Sequence, residues 1–169
     1  AIFPGGLGEE LANLLWGREG MESLEYLLLY SMAELDNTAT ERRFRLPQPV
    51  REYAKGKREN TENAETFTKI LEYFYFTISQ LMEDEKRFSQ EASNLSYFIE
   101  WGLVNENNAK NLCFTARIID VLGLKIEQIF TSIDLLEILN NALNSAKRNT
   151  DIYAAVSYTH LTLPTILLV

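Results

Sequence analysis

Between Glu41 and Arg58 seven basic residues (Arg42, Arg43, Arg45, Arg51, Lys55, Lys57 and Arg58) stand against two acids, Glu41 and Glu52. Arg51, Lys55 and Arg58 recur at i, i+4 and i+7, so on a helix they form one cationic stripe. Such a stripe, with Arg43 and Arg45 on the strand before it, can contact phosphate groups, pair with acidic helices elsewhere, or stay solvated. These five residues are the candidate interaction surface. Other reactive groups are poorly arranged. Glu83-Asp84-Glu85 are consecutive on a helix and point in different directions, so they cannot converge on one metal ion. Cys113 lies in the apolar run Leu112-Cys113-Phe114 and reads as a buried thiol rather than a nucleophile. The aromatic run Tyr73-Phe74-Tyr75-Phe76 reads as core rather than as a stacking platform for bases. The phosphate-cradling pattern G-x-x-x-x-G-K-[ST] does not occur. No catalytic, cofactor-binding or metal-ligating residue is assigned.

Composition narrows the class. The 169 residues carry a net charge of −8, which argues against a chain built as a whole to coat nucleic acid. Hydrophobic content of 46% with only four prolines and eight glycines favours a helical globule. A single cysteine excludes an intramolecular disulfide and fits a reducing cytoplasm. No apolar run is long enough to span a membrane, and the N-terminus lacks signal-peptide organisation.

The elements that would position these residues follow from periodicity. Leu7, Leu11, Leu14 and Leu15 predict a first helix closing at Trp16-Gly17, with Glu9 and Glu10 in its first turn. A second helix is expected from Ser23, as N-cap, to Leu35, with Leu24, Leu27, Leu28, Met32 and Leu35 on its apolar face. Ala33–Leu35 and Arg43–Leu46 can pair as a small hairpin around Asp36-Asn37-Thr38. Pro47 implies a short or edge strand. Pro49 suits the first turn of a helix to about Arg58, with Val50, Tyr53 and Ala54 turned toward the core. Asn60-Thr61-Glu62-Asn63 reads as a linker. Helices are then expected over about 64–86, 88–101, 109–122, 126–130 and 133–148, with Gly102 and Gly123 as C-terminal caps. The first of these buries Phe67, Ile70, Leu71, Phe74, Ile78, Leu81 and Met82, widened by Tyr73, Tyr75 and Phe76.

Residues 156–169 are expected to have a different origin from the rest. Val156 to Thr165 back-translates to GTC TCT TAT ACA CAT CTG ACG CTG CCG ACG, which resembles the transposon end and adapter of sequencing libraries. The tail is therefore expected to be adapter-derived, and His160, the one histidine, carries no functional weight.

The segment Phe3-Pro4-Gly5-Gly6-Leu7, the helix ending near Leu35, and Arg43-Phe44-Arg45-Leu46 running into Pro49-Val50-Arg51-Glu52-Tyr53-Ala54 form a distributed pattern. It resembles the winged-helix segment that follows the nucleotide-binding core of STAND-class signalling ATPases, including the NB-ARC type of bacterial transcriptional regulators. Asn94-Leu95 and Ile99-Glu100-Trp101 are similar to the entry of the helical-repeat region that follows there, and Leu136–Ala155 resembles a degenerate tetratricopeptide repeat. The resemblance implies a mainly α chain: an N-terminally truncated winged helix with a small β-wing (1–59), a linker (60–63) and a truncated antiparallel helical repeat-like array (64–155). It implies a non-catalytic regulatory fragment with no cofactor of its own. The ATP and the ATPase core belong to the inferred parent. The winged helix would pack on that core, and the helices would sense a protein partner or inducer. The rival is a stand-alone winged-helix regulator binding DNA through Arg42–Arg58. The expected reading helix carries Glu22, Glu25, Glu34 and Asp36 and no Lys or Arg, which has the wrong sign for a phosphate backbone. A small helical enzyme would need a polar pocket that the sequence does not supply.

Overall fold

The structure, a computed structural model, describes residues 2–36, 41–57, 64–104, 109–130, 134 and 137. Strand β1 (Leu7–Gly8) enters helix α1 (Glu9–Leu29), which is broken at Gly17, where φ is 60° and ψ −155°. That backbone region is nearly closed to residues with a Cβ, so the glycine sets the break where the sequence placed it. Helix resumes at once after it. Ser23 is therefore not an N-cap; its hydroxyl donates to the Glu19 carbonyl inside the helix at 2.9 Å.

The helix also ends earlier than Leu35. Ser31 takes φ 56°, its N–H donates to the Leu28 carbonyl, and the Met32 N–H donates to that of Leu27 at 2.8 Å. This is a Schellman closure with serine in the left-handed position usually held by glycine. It frees the chain for strand β2 (Glu34–Leu35), which pairs antiparallel with β3 (Arg43–Arg45), as the expected hairpin requires. Strand β1 was not anticipated. It lies on the other side of β3, with Leu7 opposite Phe44 and Gly8 opposite Arg43, so the sheet order is β1-β3-β2. The strand before Pro47 is thus short but central, because it ends at Arg45, before the missing donor is reached.

Helix α2 (Gln48–Lys57) starts around Pro49, with the Arg51 N–H on the Pro47 carbonyl at 3.0 Å. It buries none of its residues. The expected inward face fails most clearly at Tyr53, which is 69% exposed.

Three long helices complete the described fold: α3 (Ala64–Glu83), α4 (Glu85–Val104) and α5 (Ala109–Leu122), followed by a 3-10 segment, Gly123–Gln128, where a helix over 126–130 was expected. Asp84 separates α3 from α4 by accepting the Lys86 and Arg87 N–H groups on Oδ1, at 3.1 and 3.0 Å. This N-cap moves the boundary from the expected Lys86–Phe88 to residue 84. Phe67, Ile70, Leu71, Phe74, Ile78 and Leu81 of α3 are buried as their period predicts, whereas Phe76 is exposed. Gly102 is not a cap. It sits inside α4, where an added Cβ would lie 2.1 Å from Thr115 Oγ1, so it permits the close approach of α5. Gly123, with φ 49°, does end α5.

Buried residues from the sheet and α1 and from the later helices join one core, with Phe3, Leu11, Leu24 and Phe44 continuous with Phe74, Phe98 and Ile119. The molecule is thus mainly helical, with a small three-stranded antiparallel sheet. Leu14, Met32 and Leu35, expected on apolar faces, are exposed, and so is Cys113, on the outer side of α5. Of the helix expected over 133–148 only Asp134 and Glu137 are described, both helical. Arg58, the linker over 60–63, the repeat over 136–155 apart from Glu137, the tail from 156 and His160 lie outside the described residues.

Candidate functional site

The centre of the sheet places Arg43 on its inner side. Its side chain is 1% exposed, so it lies inside rather than on the surface expected for it. Nη1 donates to the carbonyls of Gly5 and Gly6 at 3.1 and 3.2 Å. Nη2 pairs with Glu41 at 3.3 Å and with Glu91 of α4. Asn94, one turn beyond Glu91, accepts the Gly5 N–H on Oδ1 at 2.9 Å and donates through Nδ2 to the Gly6 carbonyl and Glu91 Oε2, at 2.9 and 2.7 Å.

The glycines make this closeness possible. Gly6 has φ 82°, and a Cβ on it would lie 2.9 Å from the Phe44 carbonyl oxygen; one on Gly5 would lie 2.9 Å from that of Gln90. The loop Phe3–Leu7, strand β3 and helix α4 are thereby tied through one buried polar joint. Phe3 adds an apolar tie, its ring centroid 5.4 Å from that of Phe98.

Two carboxylates share the Arg43 guanidinium. Burial pushes the Glu41 carboxyl above its usual range; Arg43 pulls it back, and the Glu91 charge pushes it up again. The joint holds charge in place. Among the described residues no group of three or more His, Cys, Asp or Glu could hold a metal ion.

The other expected surface residues scatter. Arg45 pairs with Asp36 at 2.8 Å, and Lys55 with Glu52 at 3.1 Å. Arg42, outside the expected set, pairs with Glu25 at 2.6 Å. Arg51 has other neighbours. It is half-buried, donates from Nη2 to the Leu46 carbonyl at 3.3 Å, and lines a cavity of about 220 Å³. The other walls are apolar, contributed by the Phe3–Leu7 loop, both parts of α1, and Phe44 and Leu46. Trp16, on the cavity wall, is 45% exposed, so the space reaches the surface.

Sequence reasoning singled out Asn94 but missed Glu91. The signal was available: Phe88, Leu95 and Phe98 form an apolar stripe, and Glu91 falls in it at helical spacing, where a carboxylate must find a partner. The cavity left no comparable mark, because its lining comes from four separate stretches of chain.

Comparison with known proteins found no matching family model, no matching curated protein and no matching solved structure. No helix among the described residues is long and apolar enough to cross a membrane.

Proposed function

We propose that the chain is a non-catalytic regulatory module of a STAND-class, ATP-dependent signalling protein of the bacterial transcriptional-regulator type. In this reading residues 1–59 are a winged-helix unit and the helices from 64 onward are a partner- or inducer-sensing array. The observation that carries it is the order strand, broken helix pair, hairpin, with the first strand beside the last in a β1-β3-β2 sheet. That is the order of a winged helix from its first strand onward. The buried joint at Arg43 supports a role in transmission. It fixes the sheet to α4, so a displacement of the small sheet on a nucleotide-binding core is passed to the helices rather than absorbed between them.

Direct DNA reading is disfavoured by charge. The part of α1 in the reading position carries Glu19, Glu22 and Glu25, and its Arg18 is already paired with Glu22 at 2.9 Å. The coding sequence upstream of Ala1 provides the test. A G-x-x-x-x-G-K-[ST] motif in frame within about three hundred residues is expected; a stop codon immediately before Ala1 would remove the proposal. Duplex DNA at low salt is expected not to bind, and binding with a steep salt dependence would favour a DNA-reading regulator instead.

A further inference from the structure

Arg18, Arg42, Arg43, Arg45 and Arg87 each face a carboxylate within 4.0 Å. Among the described residues no carboxylate pairs with Arg51, and its side chain makes a single long bond to the Leu46 carbonyl, at 3.3 Å. A guanidinium offers five N–H donors in a rigid fork, so most of that capacity is open. Arg51 lines a cavity of about 220 Å³ whose remaining walls, Trp16, Leu24, Leu27, Phe44 and Leu46 among them, carry no acid.

Size and chemistry together select an occupant. An apolar engineered cavity of ~150 Å³ stays dry and takes up benzene; the present space is larger, enough for one ring with a short arm. Water gains little against apolar walls, while a ring buries its surface there. One cation without an acidic neighbour calls for one anion at the end of that arm. The guanidinium fork matches a carboxylate with two parallel N–H···O bonds.

We propose that this cavity is a binding site for a small arylalkanoate, its ring between Trp16, Leu24 and Leu27 and its carboxylate on Arg51. The site gives the small sheet and α1 a ligand of their own. It needs no nucleotide-binding core, so it stands or falls apart from the STAND reading.

Calorimetric titration of the full chain with 3-phenylpropionate, 3-phenylpropan-1-ol and 3-phenylpropylamine tests it. The acid is expected to bind saturably, the alcohol about tenfold or more weaker, and the amine not measurably. Arg51→Met should lower the affinity for the acid about tenfold or more while leaving the alcohol unchanged, and Arg51→Lys should fall between. Should Arg51→Met fail to fold, the ratio of acid to alcohol on the unaltered chain still decides. Acid and alcohol of equal affinity, no saturable binding of the acid at millimolar concentration, or a folded Arg51→Met chain that binds the acid undiminished would each overturn the site.

Discussion

Arg43 and Arg51 are eight positions apart in the same basic segment, yet they live in opposite environments. Arg43 sits on the central strand with two carboxylates and two loop carbonyls around it, sealed from water. Arg51 sits in the first turn of α2, half-buried, with one long bond to a carbonyl and an apolar space in front of it. Losing a partner from a buried ion pair is costly in proportion to the countercharge removed, because the charge left behind has no water to replace it. A half-exposed arginine with few bonds loses little when removed. Two identical side chains thus divide between holding the fold and remaining open for something outside it.

The comparison breaks first at Glu91. Glu91→Ala should lower the free energy of unfolding, measured in urea, by up to about 3–5 kcal/mol, since it takes from the buried Arg43 one of its two carboxylate partners and leaves Glu41. A double variant, Arg43→Met with Glu91→Met, should recover a good part of that loss. A single-variant loss below about 1 kcal/mol would mean that Arg43 is not held as described.

Asn94→Ala comes next. It leaves the Gly5 N–H and the Gly6 carbonyl without their amide partner and should cost about 1–3 kcal/mol. Amide hydrogen exchange should report the change locally, as faster exchange at Gly5.

Glu41 tests the joint through pH. Its folded-state pKa is raised, so the charged form is disfavoured by folding and its penalty is present above the folded value. The penalty is relieved as pH falls through that raised value toward the ordinary 4.5. Glu41→Gln should therefore be slightly stabilising at neutral pH, by less than about 1 kcal/mol because the site is partly solvated. That difference should shrink as pH falls toward 4.5, and one that grew on acidification would reverse the sign of the argument. The smallest effect is expected at Arg51: Arg51→Met should change thermal stability by no more than about 0.5 kcal/mol.

Much of the framework was legible in the sequence. Leu112, Ile118, Ile119 and Leu122 recur with a helical period, and α5 runs over the expected 109–122. Gly17 marked the break in α1 because few other residues accept its backbone angles. The pairing of β2 with β3 followed from turn residues between two short apolar-basic runs.

What escaped was anything decided by long-range neighbours. Strand β1 is two residues long and exists because β3 lies beside it, so no local pattern announces it. Arg43 carries the composition of a surface residue, and its burial becomes tolerable when the carboxylate that α4 brings, 48 positions later, joins Glu41 on its guanidinium. Cys113 and Leu14 failed for the opposite reason: an apolar residue type says what can be buried, while helix packing decides which face is. Of the candidate site, the basic residues were found and their roles were not, because a cavity is a property of surfaces that meet rather than of any one stretch.

The tie between the Phe3–Gly6 loop and α4 bears on how this chain could be divided. Phe3 against Phe98, and Gly5 and Gly6 against Asn94, cross the polar stretch 58–63 that a reader of the sequence would choose as a cutting point. Residues 1–57 and 64–169, made separately, would each expose half of a shared interior, the first fragment leaving the Arg43 guanidinium without Glu91 and the second leaving Glu91 without Arg43. Mixed in one tube, the two pieces are expected to complement each other, the second returning Glu91 to an Arg43 that keeps Glu41 alone in the first.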